Sequence, residues 1–280
     1  MLIRSDWHNH SEYSHDSTLP LKTLAEKADE YGFCRIGVTD HVNFNDAFFL
    51  NNLDSSASAT NALQKTYPKL ILGVELTPIE MPEFEHLQKT RNREGYMPPV
   101  SDKPKPYGIA LACTKEELIA RGVRYCIGAS HWRIDIPNGI NATPDLQAEI
   151  DEWFRQQMFL ATDDRVTVLG HPWYNGRALW YEDFSVIPHS MNLEIAHALK
   201  ENGKYVECNS GVILSGRTSE KFRHQYCEFL RELFEMGIPV TYGSDAHSSY
   251  RPDHITMEAY LRAAGFCDGD IAEIAEEDLW

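Results

Sequence analysis

Asp6-Trp-His-Asn-His-Ser-Glu-Tyr-Ser-His-Asp16, near the N-terminus, is the stretch from which the fold of this 280-residue chain can be inferred. The short apolar run before it predicts a strand over residues 3–8. His8 and His10 lie two residues apart at its end, and side chains with that spacing on a strand point to the same side. Both imidazoles can therefore reach one cation, although a single pair of this kind is weak evidence for a metal site.

Five later apolar runs end in the same way, at a histidine or a carboxylate. They read Val38-Thr-Asp-His41, Leu72-Gly-Val-Glu75, Gly128-Ala-Ser-His131, Leu169-Gly-His171 and Gly243-Ser-Asp-Ala-His247. Random placement of 12 histidines does not put them repeatedly at the ends of apolar runs. Histidines buried in a core are the alternative, and their position where each run stops counts against it. The pattern predicts chemistry-bearing side chains at the ends of several strands.

Strands and helices alternate along the predicted chain. We expect strands at residues 3–8, 35–39, 69–75, 125–130, 165–170, 205–209 and 239–243, and helices at 20–32, 55–67, 115–121, 144–161, 191–201, 219–236 and 254–264. This alternation implies a parallel sheet with right-handed crossovers. The stretch 77–107 breaks the pattern with six prolines and many charges. We expect it to be a long excursion on the rim, as in a lid or binding loop.

Length and composition are those of a soluble globular protein, with 42% apolar and 24% charged residues. The length fits one large α/β barrel or two small domains. Because the sequence contains no internal repeat and no low-complexity linker, we expect a single domain over residues 1–280. The net charge of −16 argues against nucleic acid as the main partner, since binding to a phosphate backbone requires a basic surface.

Cellular location is predicted from features that the sequence lacks. Its apolar runs fall short of the roughly 20 residues that a membrane span needs, and no basic segment followed by an apolar one marks a signal peptide. The six cysteines show no C-x-x-C spacing and are expected to be reduced, mostly buried thiols. We therefore expect a cytoplasmic protein with no membrane partner, whose oligomeric state the sequence does not reveal.

The ordered motifs H-N-H with Asp16 downstream, T-D-H, G-V-E, S-H, G-H-P and G-S-D-A-H resemble those of the polymerase-and-histidinol-phosphatase (PHP) family. The resemblance spans residues 6–251. It implies a distorted seven-stranded (βα)7 TIM-like barrel with two or three divalent metal ions at the C-terminal strand ends. The ligands that it implies are His8, His10, His41, Glu75, His131, His171, Asp245 and His247. A ninth is implied in the turn Ser14-His15-Asp16, with Asp16 as the first choice and His15 as the second.

The chemistry of these donors agrees with the resemblance. Neutral imidazoles mixed with carboxylates suit zinc, manganese or iron, and the sequence does not distinguish them. Glu75 is predicted to bridge two ions, because one carboxylate offers two oxygens. Asp40, beside His41, is interpreted either as an acceptor that fixes an imidazole tautomer or as an N-cap of the following segment. Three divalent ions outweigh the carboxylates of Asp16, Glu75 and Asp245, so an anionic substrate is favoured.

Two arginines and an aromatic loop are predicted to bind the substrate. Arg177 and Arg251 follow metal histidines on loops at the same face, at positions where histidinol-phosphatase-like members of the family carry arginine. Planar bidentate donors suit a phosphoryl group, whereas solvated surface is the alternative for a loop arginine. Trp173 is expected to stack on a substrate ring, and Trp180 to pack beneath the loop.

The resemblance and the donor chemistry together predict a hydrolase, a metal-dependent phosphoesterase acting on L-histidinol phosphate or a similar small phosphomonoester. A metal-bridging hydroxide is expected to attack phosphorus. Glu75 and Asp245 are the expected catalytic carboxylates, and Asp245 is one candidate donor of the proton to the leaving group. Glu207-Cys-Asn-Ser-Gly211 departs from the Glu-x-Asn-Thr of histidinol phosphatases, so the identity of the leaving group stays open. A family nuclease or phosphodiesterase, an amidohydrolase-type enzyme on the same barrel and a non-catalytic domain are the alternatives.

Overall fold

Parallel strands form the centre of the computed structural model, which describes residues 1–42, 49–80, 108–111, 113–131, 145–174, 180–251 and 253–280. The strands are β1 (Ile36–Val38), β2 (His41–Val42), β3 (Leu70–Leu76), β4 (Ile79–Glu80), β5 (Ile109–Ala110), β6 (Tyr125–Gly128), β7 (Val168–Leu169), β8 (Tyr205–Asn209) and β9 (Val240–Gly243). The helices are α1 (Leu21–Glu30), α2 (Phe49–Leu63), α3 (Lys115–Ile119), α4 (Leu146–Thr162), α5 (His189–Glu201), α6 (Ser210–Ile213), α7 (Glu220–Glu235) and α8 (Asp253–Ala263).

One curled sheet contains seven of these strands, in the order β1-β3-β6-β7-β8-β9, with β2 pairing with the end of β3. Each pair in this sheet is parallel, so the C-termini of its strands lie at one edge. The helices surround the sheet, and the expectation of a parallel α/β barrel-like fold is confirmed. β4 and β5 form a separate antiparallel pair.

Residues 3–8 do not form the continuous strand expected from the sequence. The N-terminal segment joins the sheet through isolated parallel bridges, from Asp6 to Ile36 and from Asn9 to Ala246. The carboxylate of Asp6 accepts the backbone N–H of His8 at 3.3 Å, which removes one donor from a regular ladder. The two bridges place the segment between β1 and the end of β9, where it closes the barrel.

The interior of the barrel is packed with apolar side chains. This inner cluster contains Trp7, Ile71, Tyr125, Ile127, Ala129, Val168, Tyr205, Ile274 and Leu279. Gly37 and Gly73 make room for the ring of Tyr125, since a Cβ on them would lie 2.0 and 2.6 Å from atoms of that side chain. Ile274 and Leu279 belong to the segment after α8, and this segment covers the end of the barrel opposite the strand C-termini.

The helices begin and end at residues that the sequence marks clearly. The Ser219 hydroxyl caps α7 by accepting the backbone N–H of Phe222 at 3.0 Å, as a serine N-cap does. The buried face of α7 consists of Phe222, Tyr226, Cys227, Phe229, Leu230 and Leu233, at the spacing of an amphipathic helix. Gly237, with a φ of 85°, follows its end and adopts the left-handed conformation that glycine tolerates.

The agreement between predicted and observed strands varies along the chain. β8 covers the whole predicted range 205–209, whereas the prediction 165–170 shrinks to Val168–Leu169. β4 and β5 pair at the base of the predicted excursion 77–107, of which residues 81–107 lie outside the described residues. The prediction of a single domain stays a prediction. All six cysteines are free and four are buried. No helix in the described ranges has the length and apolar character needed to cross a membrane.

Candidate metal centre

The donors predicted from the strand ends come together at the C-terminal edge of the sheet. Three groups have ligand atoms that all lie within 4.8 Å of one another. These groups are His10, Asp16, His41 and His247; His8, His10 and Glu75; and His41, Glu75 and His131. Because the groups share members, they form one continuous cluster, which we call the donor cluster.

Glu75 lies at the middle of the donor cluster, near the C-terminal end of β3, which is buried along its whole length. Its register with β2 places it directly beside His41. Oε2 of Glu75 lies 2.9 Å from His41 Nδ1, 3.3 Å from His10 Nε2 and 3.4 Å from His8 Nε2. Its other oxygen, Oε1, lies 3.0 Å from His171 Nε2 and 3.3 Å from His131 Nε2. Both carboxylate oxygens therefore face imidazole nitrogens on opposite sides.

Asp245 completes the cluster from the end of β9. Its Oδ1 lies 3.1 Å from His10 Nε2 and 3.5 Å from His8 Nε2. Asp245 has a φ of 56° and His171 a φ of 23°. Such left-handed values are uncommon for residues other than glycine and occur preferentially at functional sites. These two donors are held in place by the surrounding structure.

The geometry places Asp16, and not His15, in the donor groups. Asp16 Oδ2 lies 3.2 Å from His41 Nε2 and 3.4 Å from His247 Nε2. The ring of His15 is exposed and its centroid lies 5.2 Å from that of His41. Between the two residues left open by the sequence, the carboxylate is thus the one that faces the imidazoles.

Asp40 does not fix an imidazole in the described part of the chain, in contrast to one of its two interpretations. Its carboxylate accepts the hydroxyl groups of Ser11 at 2.7 Å and of Ser56 at 2.6 Å, together with the backbone N–H of Ser11 at 2.5 Å. Asp40 therefore connects the loop after His10 to α2. Partners of the imidazoles that the sequence did not indicate are Thr77, 3.0 Å from His131 Nδ1, and Glu207, 2.7 Å from His8 Nδ1.

The electrostatics of the donor cluster demand positive charge. Burial acts to raise the pKa of Glu75, but the imidazoles of His41, His8 and His131 hold that pKa well below its usual range. Burial acts to lower the pKa of His41, yet Glu75 and Asp16 raise it to about 10. The pKa of His131, where burial dominates, is lowered to about 4. Buried carboxylates of this kind need either protons on the imidazoles or bound cations as counter-charge.

Several donor atoms fit metal ions better than protons. Glu75 Oε2 and His41 Nδ1 are buried and lie 2.9 Å apart, but neither makes a hydrogen bond of acceptable geometry within the described structure, and His171 Nδ1 is also buried without a hydrogen-bond partner there. Nε2 of His8 and Nε2 of His10 face each other at 3.1 Å. Two facing imidazole nitrogens with oxygen donors beside them are an appropriate set for a divalent transition metal. The residues present therefore fit metal binding.

A cavity of about 380 Å³ opens on the donor cluster. The cavity is also lined by Tyr174, Tyr181, Val212 and Arg217. Burial raises the pKa of the Tyr174 hydroxyl, whereas a hydrogen bond with Arg217 and the charge of its guanidinium act to lower that pKa. Arg217 was not among the predicted substrate residues. The only signal for it is its position on the loop that follows the strand end Glu207-Cys-Asn209.

A second cavity, of about 260 Å³, adjoins the first. Both cavities are lined by Gly211, Ser215, Asp245 and His247, and the second also contains Arg251 in its wall. Arg251 is exposed and makes no hydrogen bond or ion pair with the residues that the structure describes. Arg251 therefore lines a cavity that shares Asp245 and His247 with the cavity at the donor cluster.

The remaining predicted substrate residues have different positions. Arg177 lies outside the described residues. Trp173 is 2% exposed, its indole N–H donates to Asn192 Oδ1 at 3.0 Å, and its ring centroid lies 4.5 Å from that of Tyr226. Because its ring face and its indole N–H are both used inside the protein, Trp173 is not available to stack on a substrate as expected from the sequence. Trp180 is also buried, and its indole N–H donates to the backbone of Trp173, as expected for packing beneath the loop.

Comparison with known proteins agrees with this arrangement. None of the curated protein sequences compared with the chain matches it. The chain is similar to the structure of histidinol phosphate phosphatase (HISK) from Lactococcus lactis in complex with zinc, L-histidinol and phosphate. The TM-score is 0.67 and the identity 18%, over 100% of this chain and 99% of that one. A structure of the metal-dependent tyrosine phosphatases YwqE from Bacillus subtilis and CpsB from Streptococcus pneumoniae is less similar, with a TM-score of 0.46, 16% identity and coverage of 94% and 87%. The family model for the PHP domain matches residues 6–211, and the chain therefore belongs to the PHP domain family.

Proposed function

We propose that this protein is a metal-dependent phosphoesterase that hydrolyses a small phosphomonoester. The observation that carries the proposal is that Arg217 and members of the donor cluster line the same cavity, of about 380 Å³. A site that combines bound cations with a guanidinium suits a tetrahedral anion. The similarity to the Lactococcus histidinol phosphate phosphatase supports the fold on which this site is built.

The donor cluster is proposed to hold two or three divalent ions, of zinc, manganese or iron. Glu75 would offer its two oxygens, and His10 and His41 would each offer a ring nitrogen, to the ions held there. Bound ions would lower the pKa of a water molecule and neutralise charge on the phosphoryl oxygens. His171, whose Nε2 lies 3.0 Å from Glu75 Oε1, is proposed as a further ligand.

The protein side chains around the cavity would position the ester. Arg217 would donate to two phosphoryl oxygens, and the Tyr174 hydroxyl beside it would hold the guanidinium in place. Arg251 and, from the sequence resemblance, Arg177 are proposed as further contacts to the substrate. Because Arg251 lines the adjoining cavity, it would contact the leaving group or a phosphoryl oxygen directed away from Arg217.

Asp245 is proposed to move the proton, and Glu75 to hold the two sides of the donor cluster together. Oδ1 of Asp245 faces His10, whereas Oδ2 accepts the side-chain amide of Asn209 at 3.4 Å. Burial acts to raise the pKa of Asp245, but the imidazoles of His8 and His10 hold it well below its usual range. Asp245 is thus a carboxylate, which would take a proton from the attacking water and return it to the leaving alkoxide.

L-histidinol phosphate is the specific substrate that we propose, on the resemblance of the motifs. Tyr174 and Tyr181 supply aromatic surface in the cavity. Because Trp173 is packed inside the protein, these two tyrosine rings are the proposed contacts for the imidazole of the substrate. The net charge of −16 favours a small ester over nucleic acid.

A direct test is a screen of the purified chain, reloaded with zinc, manganese or iron in turn. L-histidinol phosphate, other small monoesters, a phosphodiester and a single-stranded oligonucleotide would be compared. We expect monoesters to be hydrolysed far faster than diesters, since a diester lacks one of the charged oxygens that Arg217 would bind. Equal rates, or a preference for the oligonucleotide, would instead assign the chain to the nuclease branch of its family.

A further inference from the structure

Glu207 is a buried carboxylate that the proposed reaction does not use. It lies on β8 and is 1% exposed, and a buried carboxylate is unfavourable unless its oxygens are hydrogen-bonded. Oε1 lies 2.7 Å from His8 Nδ1, and Oε2 accepts the backbone N–H of His171 at 2.6 Å and the side-chain amide of Asn209 at 3.1 Å. One carboxylate thus contacts two predicted metal ligands.

The contact with His8 determines which of its nitrogens is available. When Nδ1–H donates to Glu207, a neutral imidazole has its lone pair on Nε2. Nε2 is the atom that faces the donor cluster, 3.1 Å from His10 Nε2 and 3.4 Å from Glu75 Oε2. Glu207 therefore selects the tautomer of His8 that can bind a cation.

The contact with His171 acts through the backbone. His171 has a φ of 23°, a value that a residue with a side chain adopts only when its surroundings enforce it. The hydrogen bond from its N–H to Oε2 of Glu207 fixes this conformation. In that conformation His171 Nε2 lies 3.0 Å from Glu75 Oε1, on the opposite side of the cluster from His8.

Space for the carboxylate comes from a glycine. A Cβ on Gly243 would lie 1.9 Å from Oε1 of Glu207 and 2.5 Å from Cβ of His8. The end of β9 therefore accommodates the Glu207–His8 pair only because residue 243 has no side chain.

We propose that Glu207 is a positioning residue that holds two ligands, His8 by its tautomer and His171 by its backbone, and so sets the metal affinity of the site. Glu207 lines neither of the two cavities beside the donor cluster, and its effect on turnover passes through the bound ions. The inference rests on the proposed function only in requiring that the cluster binds metal.

The test compares Glu207→Gln with the control Glu258→Gln. Glutamine has the same shape, but its NH2 group must face either His8 Nδ1 or the His171 N–H. If the NH2 group faces His8 Nδ1, that nitrogen must accept, and the proton of His8 moves to Nε2. If it faces the His171 N–H, two hydrogen-bond donors point at each other. Glu258 likewise accepts a backbone N–H, that of Ile3 at 3.0 Å, but lies on α8 and outside the donor groups. The dissociation constants of zinc and manganese would be measured by competition with a chelator.

We expect Glu207→Gln to bind metal 10- to 100-fold more weakly, the usual effect of removing a partner of a metal-bound histidine, and Glu258→Gln to bind it like the unaltered protein. A folded Glu207→Gln variant with unchanged dissociation constants would overturn the inference. If this variant does not fold, nitrogen-15 NMR of the imidazoles in the unaltered, metal-loaded protein provides the second measurement. Substitution of His8 assigns its signal, which should show a proton on Nδ1, and an unprotonated Nδ1 would be the contrary result.

These outcomes separate the inference from the proposed function. A protein that binds metal but hydrolyses no phosphomonoester would refute the function and leave the affinity comparison intact. Conversely, a phosphatase whose metal affinity is indifferent to Glu207→Gln would keep its function and lose the positioning role.

Discussion

At the N-terminal ends of the strands, the segment after α8 places Ile274 and Leu279 in the inner apolar cluster. The Tyr205 hydroxyl there donates to Asp278 Oδ2 at 2.7 Å, whereas the indole nitrogen of Trp7, in the same cluster, is buried without a hydrogen-bond partner in the described structure. At the C-terminal ends, Glu75 is surrounded by imidazoles, and three buried donor atoms in the described structure have no hydrogen-bond partner. The first end is mainly apolar, whereas the second gathers buried carboxylates and imidazoles and requires counter-charge. Stability and function are thereby assigned to opposite ends of one barrel, as is usual in βα barrels.

Removal of metal is expected to have the largest effect on activity. Chelation should abolish hydrolysis and lower the thermal midpoint, because ions at 100 to 1,000 times their dissociation constant stabilise a fold by about 2.7–4.1 kcal/mol. For a chain of this size the shift is roughly 5–15 °C. Far-UV circular dichroism should stay the same at 25 °C, since the apolar end does not depend on metal. Loss of secondary structure on chelation would show that the two ends are not independent.

Glu75→Gln should have the next largest effect. The substitution keeps the shape and removes the charge at the middle of the donor cluster, and breaking a buried ionic arrangement costs about 3–5 kcal/mol. Metal content, measured by elemental analysis, and kcat are expected to fall together, with kcat reduced on the order of 10²- to 10³-fold. A variant with full metal content and a normal kcat would exclude the bridging role.

Arg217→Ala should affect the substrate and leave the metal in place. A charge-assisted contact contributes roughly 1.5–3 kcal/mol, so kcat/KM for the best monoester should fall by about 10- to 150-fold. Contact made already in the ground state would raise KM, and contact made mainly in the transition state would lower kcat. Arg262→Ala is the control, because Arg262 is paired with acidic residues on the outer surface. Unchanged kinetics with every monoester would remove Arg217 from the site.

Leu279→Ala, at the apolar end, should have the smallest effect on activity. Loss of a buried leucine side chain costs about 2–5 kcal/mol, so the free energy of unfolding should fall by that amount in a denaturant titration. The kcat and metal content of the folded molecules are expected to match those of the unaltered chain. A large fall in kcat would mean that a packing defect at the apolar end alters the geometry of the donor cluster.

The same contrast explains what could be predicted from sequence. An apolar run identifies a strand buried on both faces, and so β3 was expected nearly at its observed bounds. Donors at the ends of such runs meet because parallel strands end at one edge, which is why Glu75 and His171 could be assigned to one site. The family and the fold class followed from that ordered set of motifs.

Other features depend on contacts that no local pattern encodes. The choice between His15 and Asp16 is made by the turn that directs one of them at His41 and His247. Trp173 follows a predicted ligand directly, but adjacency in sequence does not tell a substrate contact from packing. Arg217 follows α6, a four-residue helix, which is too short to show the 3.6-residue periodicity by which a helix is recognised in a sequence.

The N-terminal segment between β1 and β9 has a consequence for biosynthesis. His8 and Asp245 belong to one donor cluster, and the Asp245 N–H donates to the backbone of His8 at 2.8 Å, although 237 positions separate them in the sequence. A nascent chain displays its first two histidines long before the ribosome has made their neighbours. Contacts of such sequence separation form late and slowly. We therefore expect the donor cluster to become able to bind ions only late in folding, once the segments around His8 and Asp245 have paired.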